Sequence, residues 1–265
     1  MRVITIFSGK GGVGKTTMSI IFSSWLKYHM HERVVAYDFE SPESRMMNKR
    51  RSDLTVLSLG AQSLKRFCES EDYYPIGAIK TKPDGFTDAD LQTIAKRMRE
   101  AKASGDGYIV CDFPGHFERR DAIFTLAKEK LIDLVVFPVQ PEEQSVASMY
   151  VVNKILRGLG YDAQGKNRVM CFWNMVTRND NRNKQDIIPE YEKDFNLLGI
   201  PVAKTKVKFA DTFKRSSSAP VFITTTVCYP RANVVKACPP EAGQNVPYIE
   251  NLFQEIKDCA DATII

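Results

Sequence analysis

Residues 8–17 read Ser-Gly-Lys-Gly-Gly-Val-Gly-Lys-Thr-Thr, a glycine-rich stretch carrying two lysines, Lys10 and Lys15. It follows Val3-Ile4-Thr5-Ile6-Phe7, a β-branched apolar run suited to a buried strand. It precedes a segment from Thr16 to Met30 in which Met18, Ile21, Phe22, Trp25 and Leu26 keep helical spacing. Strand, glycine loop and helix in this order make a phosphate-binding loop. Gly9, Gly11, Gly12, Val13 and Gly14 let backbone N–H groups converge on a triphosphate, Lys15 neutralises the outer phosphates, and Thr16, followed by Thr17, offers a hydroxyl to Mg²⁺. Lys15 alone fills the phosphate groove. Lys10, at the mouth of the same loop, has no evident second task within one subunit, and a partner's nucleotide is its natural target.

Working outward, apolar strands are predicted at 3–7, 33–37, 54–59, 107–113, 132–138, 168–174 and 201–204, and helices at 15–30, 88–103, 117–130, 143–158 and 182–198. Alternation of this kind implies an α/β fold, a doubly wound, mostly parallel sheet with helices on both faces. Asp88 is the expected N-cap of the helix that Gly105 stops. Residues 70–87 read as a surface excursion. Residues 224–246, with Pro230, Pro239, Pro240 and Gly243, read as irregular before a last helix near 248–260. A chain of 265 residues fits one domain spanning 1–265, and the first strand starts too early for a signal peptide or a preceding DNA-binding module.

Two further strands end in acids. Val34-Val35-Ala36-Tyr37-Asp38-Phe39-Glu40 places two carboxylates two positions apart, and Tyr108-Ile109-Val110-Cys111-Asp112-Phe113-Pro114-Gly115 ends an apolar strand in an aspartate and a turn. Together with K-G-G-x-G-K-[ST]-[ST] at Lys10 to Thr17, these elements resemble the ParA/MinD family of deviant Walker ATPases, a P-loop NTPase group; Val136-Phe137-Pro138-Val139-Gln140-Pro141-Glu142 is similar to the P-x-Q-x-E stretch of ParA-like members. The resemblance implies an ATP- and Mg²⁺-dependent ATP hydrolase. It also implies a homodimer closed around ATP, with Lys10 crossing to the partner. By position, Asp38 matches the aspartate linked to the magnesium shell and Asp112 the Walker B aspartate that organises Mg²⁺ through water. Glu40 stands where the family has an aspartate that positions or polarises the attacking water, one methylene longer, with Ser41 before Pro42. Asn174, at the end of a strand where the base would lie, is assigned to adenine, and Thr205 to Phe209 to the other wall of that site.

Charge directs the choice of partner. The net charge is +5, and residues 201–236 hold Lys204, Lys206, Lys208, Lys214, Arg215, Arg231 and Lys236 against the lone Asp211. Doubling such a surface in a dimer favours sequence-independent DNA binding. Lys204, Lys206 and Lys208 alternate along one side of an extended segment. A solvated basic face is the plainer reading. Arg45, Lys49, Arg50 and Arg51 form a second basic cluster, either a partner site or a surface helix. Over 247–265, Lys257 is outnumbered by Glu250, Glu255, Asp258 and Asp261, which disfavours the lipid-docking tail of the MinD branch. The longest apolar run, Leu134 to Phe137, is too short for a membrane helix. Six cysteines with no C-x-x-C pair, and the scattered His29, His31 and His116, point to reduced thiols and no metal cluster.

The reading is therefore a cytoplasmic ParA-type ATPase that binds DNA nonspecifically and partitions or positions a DNA cargo through a ParB-like adaptor. An accessory ATPase of conjugative DNA transfer, acting with a DNA-transfer protein, is an alternative. A MinD-like positioning ATPase and a metabolic P-loop enzyme are the others.

Overall fold

In a computed structural model of the chain, residues 1–39, 45–59, 65, 68, 72–79, 86–115, 122–161, 168–176, 187–208 and 224–262 are described. The expectations attached to Glu40, Phe209, Lys214 and Arg215 lie outside them. Six strands form one sheet: β1 (Arg2–Ile6), β2 (Val34–Asp38), β3 (Ile76–Ala78), β4 (Tyr108–Asp112), β5 (Leu134–Val139) and β6 (Arg168–Trp173), in the order β3-β2-β4-β1-β5-β6. Every pairing is parallel. The α/β expectation holds.

The strands are apolar at almost every position because both faces are covered, and period two sorts their side chains. Val3, Ile109, Cys111, Val135, Phe137, Val169 and Cys171 join one core layer, packed beneath α3 (Asp88–Ala103), α4 (Ala122–Lys128), α5 (Glu143–Gly158) and α6 (Ile187–Leu197). Ile4, Ile6, Val34, Ala36, Val110, Leu134, Val136, Met170 and Phe172 face the opposite way. Their layer lies beneath α1 (Lys15–Ser24), α7 (Arg231–Ala237) and α8 (Tyr248–Asp261). In α8, Leu252, Phe253 and Ile256 are fully buried, Phe253 against Phe22 and Trp25 of the first helical segment.

Several local expectations are corrected. Residues 54–58 are not a strand but the end of the helix α2 (Arg45–Ser58). A short apolar run has no decisive period of its own, and here it continues a helix already begun at Arg45. Ile76–Ala78, inside the supposed excursion, pairs with β2 as the edge strand, too short for alternation to register. Arg231–Ala237, inside the supposed irregular segment, is helical after Pro230. Near 201–204 there is an isolated bridge from Val202 to Cys171. The first helix ends as a π-turn over Trp25–His29, with Met30 N–H bonded to Trp25 O at 3.0 Å. The N-cap of α3 is Thr87 rather than Asp88. Thr87 accepts from Asp90 N–H, and the Asp90 carboxylate accepts from Thr87 N–H, a reciprocal box that Asp88 cannot complete.

Candidate functional site

The carboxyl ends of the inner strands bring the motif residues to one edge. Parallel register sets Asp38 beside Asp112, and Ile6, which leads into the glycine loop, beside the same Asp112. Gly12 (φ 77°) and Gly14 (φ 87°) hold left-handed backbone that a side chain would strain. A Cβ on Gly14 would also approach Asn174 Nδ2 to 2.9 Å. The loop opens directly into α1, whose first turn begins with Met18 N–H on Gly14 O at 2.9 Å, so the helix N-terminus faces the phosphate position.

Lys15 is buried and donates to Lys10 O at 3.0 Å. A Cβ on Gly115 would come within 2.5 Å of Lys15 Nζ and 3.1 Å of Gly11 Cα. The Pro114-Gly115 turn is therefore packed against Lys15 and the glycine loop, a close approach that the sequence, which marks only a turn there, does not announce.

Asp38 and Asp112 are fully buried. Asp38 Oδ2 accepts N–H bonds from Met46 at 2.9 Å and Met47 at 3.3 Å, holding the start of α2, and Ser19 Oγ donates to Asp112 Oδ1 at 3.4 Å. The backbone beyond both acids is joined as well. Phe39 N–H bonds to Asp112 O at 2.9 Å, and the Phe39 and Phe113 rings stack at 4.2 Å, with Phe7 edge-on to Phe113 at 6.3 Å. The two carboxylates in register and Thr16 in the first turn of α1 offer oxygen donors, whose chemistry fits a hard cation such as Mg²⁺ better than a soft metal. Among the described residues no cluster of three or more His, Cys, Asp or Glu offers a separate metal site.

Lys10 corrects one sequence argument. Within its own subunit it does have a partner: its Nζ pairs with Glu142 Oε1, both side chains remaining partly accessible. Glu142 follows β5 and precedes α5, so the acid ending the P-x-Q-x-E stretch reaches the mouth of the loop from the neighbouring strand. Asn174 is 3% exposed and fastens the loop from the other side. Its Nδ2 donates to Val13 O at 2.7 Å, and its Oδ1 accepts from Met175 N–H at 3.0 Å.

The family model described as CobQ/CobB/MinD/ParA nucleotide binding domain matches residues 4–219. The chain belongs to the CobQ/CobB/MinD/ParA family. Solved structures share the fold of this ParA/MinD-type chain over nearly its whole length. The cell division ATPase MinD of Pyrococcus furiosus is 18% identical, with a TM-score of 0.60, covering 97% of this chain and 98% of its own. The septum site-determining protein MinD of Pyrococcus horikoshii, complexed with Mg-ADP, is 19% identical at 0.59, covering 99% and 98%. A candidate plasmid partition protein of Borrelia burgdorferi B31 bound to AMPPNP is 16% identical at 0.55, covering 99% of each chain. No match was found among curated proteins. Among the described residues of this ParA/MinD member, no helix is long and apolar enough to cross a membrane.

The basic residues are unevenly disposed. Ala203, Thr205 and Val207 point inward while Lys204 and Lys208 are exposed and Lys206 is half-buried, the alternation anticipated for an extended segment. Lys206 is paired with Glu192 at 3.0 Å and Arg231 with the buried Glu250 at 3.1 Å. Lys236 is exposed. The cluster on α2 divides likewise. Lys49 pairs with the buried Asp53 at 2.6 Å, and Arg50 bonds to Thr226 and Tyr74 O while lying over the Tyr73 and Tyr74 rings, whereas Arg45 and Arg51 are exposed.

Proposed function

We propose that this chain is an ATP-dependent, dimerising ATPase of the ParA type that holds DNA nonspecifically and positions or partitions a DNA cargo. The observation that carries the reading is Lys10. It stands outside the groove that Lys15 occupies, at an accessible loop mouth, on a carboxylate from which it can be released. On ATP binding, Lys10 exchanges Glu142 for the phosphates of the partner's nucleotide. Thr16, Asp38 and Asp112 would hold Mg²⁺, which when bound neutralises phosphate charge. Glu40 orients the attacking water. The adenine role of Asn174 requires its amide to exchange Val13 and Met175 for the base edge.

DNA is the favoured cargo surface because Lys204, Lys208 and Lys236 are solvent-facing. The acidic α8 instead has its apolar face inside the domain and none to offer to lipid. DNA retention measured with ATP, ADP and no nucleotide at two salt concentrations tests the reading. ATP-specific, salt-sensitive retention that Lys10→Ala abolishes is expected; retention indifferent to nucleotide would overturn it.

A further inference from the structure

We propose that Cys68 and Cys228 form a reversible intramolecular disulfide, with Cys68 the attacking thiolate and Cys228 the resolving thiol. The two lie far apart in the chain, Cys68 between α2 and β3 and Cys228 ahead of α7, yet the fold sets them side by side. Cys68 Sγ lies 3.8 Å from Val227 O, and Cys68 packs against the buried Val227 and Cys228. Val227 and Cys228, each 1% exposed, make a small apolar cluster with Val56, Leu57, Cys68 and Tyr73, separate from both main core layers. Forming the bond requires the two packed side chains to bring their sulfurs to about 2.05 Å.

Accessibility and acidity divide the two roles. Cys68 is half-buried and reachable, whereas Cys228 is buried. The neighbouring Cys228 thiol holds Cys68 below its ordinary range, while the Cys68 thiol and burial push Cys228 up. Burial also raises Cys111, Cys171, Cys259 and Cys238, the last to about 11. Cys68 is thus the one thiol of the six that is both partly exposed and held down rather than pushed up.

The oxidant is a low-molecular-weight disulfide of the glutathione class. The Cys68 thiolate attacks one of its sulfurs, the S–S bond breaks, and one glutathione leaves as a thiolate that takes up a proton. Cys228 then loses its proton to solvent and attacks the Cys68 sulfur. The second glutathione departs, two electrons having passed from the cysteine pair to the oxidant. The new bond fixes the end of α2, through Val56 and Leu57, to the segment ahead of α7.

The test equilibrates the full chain in glutathione/glutathione disulfide mixtures, quenches with acid, blocks free thiols and maps peptides by mass. Wild type is expected to lose two free thiols and yield a Cys68–Cys228 linked peptide that excess glutathione reverses. Cys228→Ser should instead accumulate one glutathione adduct at Cys68, and Cys68→Ser neither product. Absence of the linked peptide from folded wild type at every ratio, or modification of Cys259 ahead of Cys68, overturns the assignment. The wild-type result stands even if a variant folds poorly, and it is independent of nucleotide or DNA binding.

Discussion

Neutralising Glu142 should tighten the ATP-bound dimer. In the single subunit Glu142 competes for Lys10, the cation that the proposed dimer sends across its interface. The pair is partly solvated, with side-chain exposures of 20% for Lys10 and 42% for Glu142, so it belongs with surface ion pairs worth about 0.2–1 kcal/mol rather than with buried ones. Two such contacts break per dimer. Glu142→Gln therefore removes roughly 0.4–2 kcal/mol of opposition, equivalent to about a 2- to 30-fold lower dissociation constant. Sedimentation velocity over a concentration series, with a non-hydrolysable ATP analogue and Mg²⁺, measures it directly. The gain should shrink as salt rises, because the contact it removes is screened. It should vanish in the Lys10→Ala background, where there is no cation to release. A dimer unchanged or weakened by Glu142→Gln would refute the idea that this carboxylate restrains Lys10.

Asp53, 1% exposed, accepts from Lys49, Thr225, and both N–H and hydroxyl of Thr226. Asp53→Ala strands those donors and should cost about 3–5 kcal/mol, read as a lower urea midpoint, while Asp53→Asn should cost less; a loss below about 1 kcal/mol would show that the donors find water. Glu40→Ala should leave ATP binding intact and slow steady-state phosphate release, and unchanged turnover removes Glu40 from the catalytic set. Burial holds the His29 imidazole below its ordinary value, outweighing the nearby Glu250. As pH falls below about 6.5 the unfolded chain takes up the proton first, so stability drops until the folded-state value is passed. Thermal melts at about pH 7.5 and about pH 5.5 should differ less for His29→Gln than for wild type, and equal differences would exclude His29 as a source of the slope.

The phosphate loop, the acidic strand ends and the two-layer sheet were legible because each is a local pattern with its own chemistry. Glycines at 12 and 14 announce their left-handed backbone, and β4 and β5 are apolar throughout because both faces are covered. What escaped depended on contacts between distant segments. Leu54 to Ser58 carries no decisive period, and its helical state is inherited from residues before it. The Lys10–Glu142 pair could have been anticipated, since a parallel sheet brings the ends of adjacent strands β1 and β5 to the same edge. The Asp53 cluster had no comparable cue. An acid following Lys49, Arg50 and Arg51 looks like a surface charge until Thr225 and Thr226 fold against it.

Asp38 occupies a position where two demands meet. Its carboxylate caps the start of α2 through the Met46 and Met47 N–H groups, at the positive end of the helix dipole, an arrangement worth about 1 kcal/mol. The same carboxylate lies in register with Asp112 at the edge where triphosphate and cation would gather. A cation held by these acids would compete with the cap, and the first turn of α2 would feel it. The 14 residues of that helix span about 21 Å and are tied along their middle by Asp53 and Arg50 to Thr225, Thr226 and Tyr74. A rod held at its start and again two turns along passes a displacement on to the second anchor rather than absorbing it. The segment that receives it leads into Arg231 and Lys236, and also carries Cys228. Under the proposed function, the nucleotide site, the basic surface and the thiol pair would share this element, and Asp53→Ala should blunt ATP dependence of DNA retention even where ATP binding itself is preserved.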